Sequence, residues 1–338
     1  MRLNLFKKKK ALASILLSLG MTISATSTTF ASDFNWRFAN LYGRGTAFGQ
    51  LYENLAKDIE ANSNGQINVR ALYSGEGVDS SGIFNAVKSG MLTMGAPFQS
   101  LNAGELPAGI VELGLPGTTG DPQKLEDLIH KKGWQPILQK AYASQGLVWL
   151  EPYIQPAVYI ITKKPINSIS DFKGLKIRAP GAYGKFLRKL GAAPVSLAWS
   201  EIYTSLATGV IDGSIGSNMI DHRDGNHVEV AKYMYPVPVA GAQVLPIIIN
   251  QRAWNKLPDN LKEVVRKATE KHAQQQLVMG KKWESEAIAD MEKKGLKWSP
   301  KPSAGDMKKW HMAAEELWGE YTSDPYSKEL IDALKKTD

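Results

Sequence analysis

Apolar residues recur along this chain with two periods, and the places where one gives way to the other mark out the fold. Asn35 to Leu41 reads as a first strand, followed by a loop at Tyr42 to Thr46. Leu51, Leu55 and Ile59 then fall four apart, which predicts a helix from Ala47 to Asn62 that stops at Asn64-Gly65. Ile67 to Leu72 predicts a strand, Ile83 to Ser89 a helix, and Met91 to Ala96 a short third strand. Strands alternating with helices in this way imply parallel pairing with right-handed crossovers.

The pattern then repeats in outline. An apolar, Gly-rich segment from Pro107 to Pro116 leads to a helix from Asp121 to about Ser144, and Leu147 to Tyr153 and Ala157 to Thr162 read as strands. Asp171 to Pro180 has the form of a turn feeding a strand. Gly174 bends the backbone, Leu175-Lys176-Ile177 alternates, and Pro180 cannot donate to a ladder, so the strand ends at Arg178. A helix around Tyr183 to Leu190, the segment Ala193 to Leu197, a helix from Glu201 to Thr208 and a brief strand at Val210 to Asp212 complete a second unit. Val244 to Ile249 is a further strand. It runs into a helical pattern from Asp259 to Lys294, whose 36 residues would span about 54 Å. Such a helix most simply crosses both lobes, with Gly280 as a point of bending. The expectation is an α/β fold of two lobes, one at 32–153 plus 244–280 and the other at 154–243 plus 281–338, sharing a long domain-spanning helix.

The N-terminus lies outside this pattern. Arg2 and Lys7 to Lys10 precede an apolar run from Ala11 to Ile23, and Thr29-Phe30-Ala31 offers small residues for cleavage, which is the layout of a secretory signal peptide over residues 1–31. The run is shorter than the roughly 20 residues that span a bilayer. Losing the five positive charges of the leader lowers the formal net charge from +8 to +3, which removes the case for nucleic-acid binding. The chain has no cysteine, so disulfides, thiolate metal sites and thiol nucleophiles are excluded.

Candidate chemistry centres on Arg178, one guanidinium at a strand end, where open α/β sheets bind ligands. It reads either as the holder of a carboxylate through two charge-assisted bonds or as a surface arginine at a strand terminus. Gln155 and Tyr159 share a strand face by period-2 alternation, and either bond a ligand's other oxygens or pack in the core or on the sheet face. Ser217 and Asn218 follow the second unit and either reach the ligand or cap a loop. Tyr42-Gly43-Arg44-Gly45-Thr46-Ala47-Phe48-Gly49 misses the dinucleotide fingerprint by one residue, so Tyr42 and Arg44 are candidates for a loop lining the cleft, with Gln99 beside them. Asp221 to His227 fits neither calcium nor zinc spacing and reads as a solvated loop, so no metal is expected. His130, His272 and His311 read as exposed, and Trp199, Trp254 and Trp283 as packing residues. No catalytic motif or cofactor-binding signature stands out, so an enzyme is not expected.

The segment from Lys164 to Gly213 resembles the solute-binding proteins of tripartite ATP-independent periplasmic (TRAP) transporters, the DctP family. The resemblance rests on Lys164-Pro165-Ile166, Asp171-Phe172-Lys173-Gly174-Leu175-Lys176-Ile177-Arg178, Leu190-Gly191-Ala192-Ala193-Pro194-Val195 and Glu201 to Gly213. Val230-Ala231-Lys232-Tyr233 and Asn250-Gln251-Arg252-Ala253-Trp254 extend it over nearly all of the chain after the leader. It implies a periplasmic-binding-protein-like (type II) fold that closes on a small organic acid, with Arg178 as the carboxylate anchor. It also implies a periplasmic location, a membrane permease as partner, and no membrane insertion after the leader is cut. Gly216 stands where many relatives have asparagine, and the strand before Lys164 lacks the basic residue of many dicarboxylate binders. Both departures point away from a C4-dicarboxylate and towards a monocarboxylate.

Overall fold

The parallel unit expected at the start of the chain is present. In a computed structural model, which describes residues 33–336, β1 (Phe34–Asn40) pairs in parallel with both β2 (Ile67–Leu72) and β3 (Met94–Ala96). The expected leader lies outside the described residues. Helix Ala47–Asn62 connects β1 to β2 and turns Leu51, Leu55 and Ile59 into the core, as their spacing predicts. Helix Ile83–Ser89 connects β2 to β3. The chain later adds β4 (Leu147–Gln155), and β5 (Val158–Thr162) follows after two intervening residues.

These two strands belong to different sheets. The second unit supplies β6 (Lys176–Arg178), β7 (Ala193–Val195), β8 (Gly213–Asn218) and β9 (Tyr233–Met234). The chain then returns as β10 (Gln243–Asn250), and β11 (Lys297–Trp298) closes the set. The first sheet runs β2-β1-β3-β10-β4 and the second β11-β9-β5-β8-β6-β7. The chain therefore passes between sheets at Pro156-Ala157 and again before Gln243. Ala240 bridges both Val158 and Pro116 at this crossing.

Several boundaries differ from the expectation, each for a physical reason. The helix expected from Asp121 to Ser144 is two helices, Pro122–Lys131 and Trp134–Ala143, because Gly133 takes a left-handed φ of 94° between them. The strand expected at Val210 to Asp212 begins at Gly213 instead. Helix Pro325–Lys335, expected with the second lobe, packs on helices Ala108–Gly114 and Trp134–Ala143 beside the first sheet, and the Trp134 indole donates to Leu330 O at 3.0 Å.

Helix Asp259–Lys293 runs unbroken through Gly280 and packs on helix Ala47–Asn62 and β4 of the first lobe, and on helix Met219–Asp224 of the second. Gly280 lets it pass close to the crossing, since a Cβ there would lie 4.0 Å from the Pro156 ring and 3.3 Å from the Gln276 amide. One turn earlier, Gln276 pairs with edge strand β4. Its Oε1 accepts from Ile154 N–H and its Nε2 donates to Ile154 O, both at 2.9 Å, so a side-chain amide replaces a neighbouring strand.

Candidate functional site

Each sheet has one place where successive connections leave in opposite directions. In the first it lies between β1 and β3, and in the second between β6 and β8. The carboxyl ends of strands at such points are where open α/β sheets bind ligands, because the two connections part there and leave a crevice. Tyr42 follows β1, Gln99 follows β3, Arg178 ends β6 and Asn218 ends β8.

Arg178 is buried, with 8% of its surface exposed. Nε donates to Leu197 O at 3.2 Å and Nη1 to Ile215 O at 3.0 Å. The pairing of β5 with β8 slips between Tyr159 and Ile161, so β8 carries one extra residue at Ile215-Gly216, and Ile215 presents its carbonyl to the guanidinium. No acidic side chain pairs with Arg178 among the described residues. Burial alone lowers its pKa to about 10. Neutral carbonyls hold two of its nitrogens and leave the cation without a counterion.

A hydrogen-bonded chain links the lobes. Gln155, 2% exposed, donates from Nε2 to the Tyr42 hydroxyl, and its Oε1 accepts from Asn218 Nδ2 at 3.4 Å. Asn218 caps helix Met219–Asp224 by accepting from Asp221 N–H at 3.0 Å. Burial, first, and then the nearby Asp221 carboxyl hold the Tyr42 phenol well above its ordinary pKa. Three of the sequence candidates, Tyr42, Gln155 and Asn218, thus meet around one contact.

Other candidates lie elsewhere. Gln155 and Tyr159 do not share a strand face, because Gln155 ends β4 in one sheet and Tyr159 lies in β5 of the other. Tyr159 packs edge-on against Trp298, 6.2 Å between ring centres. Arg44 is on the surface, paired with Glu76 at 3.0 Å and stacked over Tyr73 at 4.1 Å. Gln99 is fully buried in the first lobe, donating to the Tyr142 hydroxyl and accepting from Asn102 at 3.3 Å. Ser217 pairs with Tyr159 through β8, and its side chain lies outside what is described. Gly49, which invited a nucleotide reading, has a packing role. A Cβ there would come 2.1 Å from Gly43 O, so glycine lets the helix close onto its own entry loop.

The segment Asp221 to His227 is not a solvated loop. It forms helix Met219–Asp224 and a helical turn, with His222 and His227 buried. Their Nδ1 atoms lie 2.9 Å apart, and His222 Nε2 faces Tyr159 O at 3.4 Å. That pattern assigns the proton of His222 to Nε2 and has His227 donate from Nδ1, with both rings neutral. Burial, then His227 and Arg178, push His222 down to about 3, and burial and Arg178 push His227 down to about 4. His272, also expected to be exposed, is buried against Asp58 at 3.0 Å. The cap spacing Asn218-x-x-Asp221 was the available signal for this helix.

Two sheets, ligand-type switch points facing each other and a helix shared by both lobes define a two-lobed binding protein. The chain matches the family described as bacterial extracellular solute-binding protein, family 7 (DctP), over residues 38–324. It belongs to that family, the solute-binding proteins of TRAP transporters. It is 28% identical over 276 residues to the monocarboxylate 2-oxoacid-binding periplasmic protein of a Nostoc species, covering 78% of this chain and 75% of that one. Among solved structures, a TRAP periplasmic solute-binding protein of Pseudoalteromonas atlantica, with bound sodium and pyruvate, aligns with a TM-score of 0.82 at 23% identity. That alignment covers 90% of this chain and 93% of the other. A Bordetella pertussis extracytoplasmic solute receptor binding pyroglutamic acid aligns with a TM-score of 0.80 at 20% identity, over 89% and 99% of the two chains. No helix among the described residues is long and apolar enough to cross a membrane.

Proposed function

We propose that this protein is a periplasmic receptor that captures a small organic acid between its lobes and delivers it to a TRAP membrane permease. The observation that carries the reading is Arg178, a buried cation at the switch point of the second sheet with carbonyls on two nitrogens and no counterion. A carboxylate is the group that completes such a guanidinium, by charge-assisted bonds that strengthen as the closing lobes exclude water. Tyr42, Gln155 and Asn218 would contact the rest of the ligand. Because Tyr42 belongs to the first lobe and Asn218 to the second, a solute touching both favours the closed arrangement. The name of the Nostoc relative, a monocarboxylate 2-oxoacid-binding protein, supports an acid.

The test is calorimetric titration of the mature protein with a panel of organic acids. Arg178→Met should weaken the tightest ligand by about 3 kcal/mol, a hundredfold or more, since truncating one partner of a buried charge pair leaves the other unpaired. Unchanged binding in that variant would remove Arg178 from the site.

A further inference from the structure

The chain that leaves helix Ala108–Gly114 runs into the crossing between the lobes. Gly117 N–H donates to Val239 O and Ala242 N–H to Thr119 O, both at 2.9 Å, and Pro116 bridges Ala240. Gly114 turns into this stretch with a left-handed φ of 110°, and a Cβ there would come 3.1 Å from Ala242 O. Glycine thus lets the backbone close up on the returning chain. Two side chains of the second lobe hold carbonyls of this first-lobe stretch. The Trp318 indole, on helix Ala304–Gly319, donates to Pro116 O at 2.8 Å. The Tyr183 hydroxyl donates to Gly114 O at 3.3 Å and accepts at 2.7 Å from Nε2 of Gln243, the first residue of β10. Tyr183 is 2% exposed, so no solvent competes for these bonds. It lies in the first turn of helix Gly181–Lys189, which begins three residues after Arg178 ends β6. Gly181 of the same turn stands against the first lobe as well, since a Cβ on it would lie 3.6 Å from the Ser100 Cβ. The strand end that carries the unpaired guanidinium is therefore moored to the first lobe by the turn that follows it.

Resting on the carboxylate reading above, we propose that Tyr183 is a positioning residue for solute capture. Its hydroxyl fixes the angle at which the lobe carrying Arg178 meets the first lobe, and so helps to hold the loaded cleft shut. It acts through the helix that follows the anchor rather than on the solute. A bond made between the lobes in one arrangement favours that arrangement by its own free energy, and a solute that touches both lobes gains affinity from it. Its loss should speed release and leave capture almost unchanged, because encounter with the open cleft does not involve the hinge.

The chain has no cysteine, so Glu60→Cys and Thr204→Cys, both at exposed positions, put one spin label on each lobe of the mature protein. The probe is whichever of pyruvate, lactate and pyroglutamate the wild type binds most tightly. Tyr183→Phe keeps the ring and deletes the hydroxyl. It should release the acid about threefold faster or more, with association within about twofold of wild type. The label separation of the loaded variant should also shift towards that of the free protein. Gln243→Leu, which keeps the bond from Tyr183 to Gly114, should release the acid at the wild-type rate. The double variant Tyr183→Phe, Gln243→Leu removes both polar partners and so recovers stability, but leaves Gly114 O untied. Its release should stay fast, and it carries the test if Tyr183→Phe alone does not fold. Release at the wild-type rate in Tyr183→Phe, the same defect in Gln243→Leu, or a defect that disappears in the double variant overturns the inference. If that happens while Arg178→Met still abolishes binding, the carboxylate reading stands and this one alone is wrong. If the wild type binds none of the acids, both fall together.

Discussion

The two lobes each bury an ionisable side chain, and the contrast between them separates a structural group from a binding one. Glu112 of the first lobe lies on helix Ala108–Gly114 with no exposed surface. It accepts from the Trp149 indole at 2.6 Å and from the Tyr142 hydroxyl, which itself accepts from Gln99. Burial raises the Glu112 pKa to about 8, and donors occupy both oxygens. Arg178 is buried to a similar degree, yet protein carbonyls take only two of its nitrogens and none of its charge. A closed network rigidifies a core, whereas an open valence at a strand end waits for a ligand. The difference explains why Gln99, at a comparable strand end, belongs to the core.

The sharpest way to break this comparison is to remove each group. Glu112→Ala strands the Trp149 and Tyr142 donors and opens a cavity, and should cost about 4 kcal/mol of stability by urea denaturation. Arg178→Met should change stability by no more than about 1 kcal/mol, because the loss of two hydrogen bonds is offset by removal of a desolvated cation. A large stability loss in the arginine variant would make Arg178 a structural residue like Glu112.

Titration should separate the lobes with opposite signs. Glu112 keeps its proton in the fold up to about 8, whereas the unfolded chain releases it near 4.5. Its contribution is therefore complete below about 4.5 and is lost as pH rises through 8. His222 and His227 stay neutral in the fold down to about 3 and 4, whereas the unfolded chain protonates them near 6.5. Their contribution is complete above 6.5 and is lost as pH falls towards those values. Each full proton difference gives a slope of about 1.4 kcal/mol per pH unit. Unfolding free energies from pH 4 to 9 should show Glu112→Gln flattening the alkaline limb and His222→Asn with His227→Asn flattening the acid limb. The same slopes in wild type and variants would refute the assignment.

Much of the architecture was legible because local chemistry agreed with the tertiary result. Leu51, Leu55 and Ile59 face the core as their spacing requires, and Arg178 ends its strand ahead of Pro180. The misplaced strand β8 shows the limit. Gly213, Ser214, Gly216 and Ser217 have little strand propensity, but β5 and β6 bond the segment from both sides. His222 and His227 were unreadable for a related reason. A polar run is normally solvated, and these residues are covered only because Trp199 and the β5 backbone fold over them from far along the chain.

The smallest expected effect belongs to Arg44, the sequence candidate whose surroundings least resemble those of Arg178. Both are arginines beside a first or second switch point. Arg44, however, is 61% exposed in its side chain and already has an acidic partner in Glu76 and an aromatic one in Tyr73. The pair holds its pKa above the ordinary value through the Glu76 hydrogen bond, so its valence is filled where that of Arg178 is open. Exposed pairs of this kind contribute little, because solvent screens them and two long side chains must be ordered. Arg44→Ala should leave both the melting temperature and the affinity for the acid that Arg178 retains unchanged within error. A substantial loss of affinity in the alanine variant, with the fold intact, would show that Arg44 leaves Glu76 on closure and that both lobes supply a cation to the ligand.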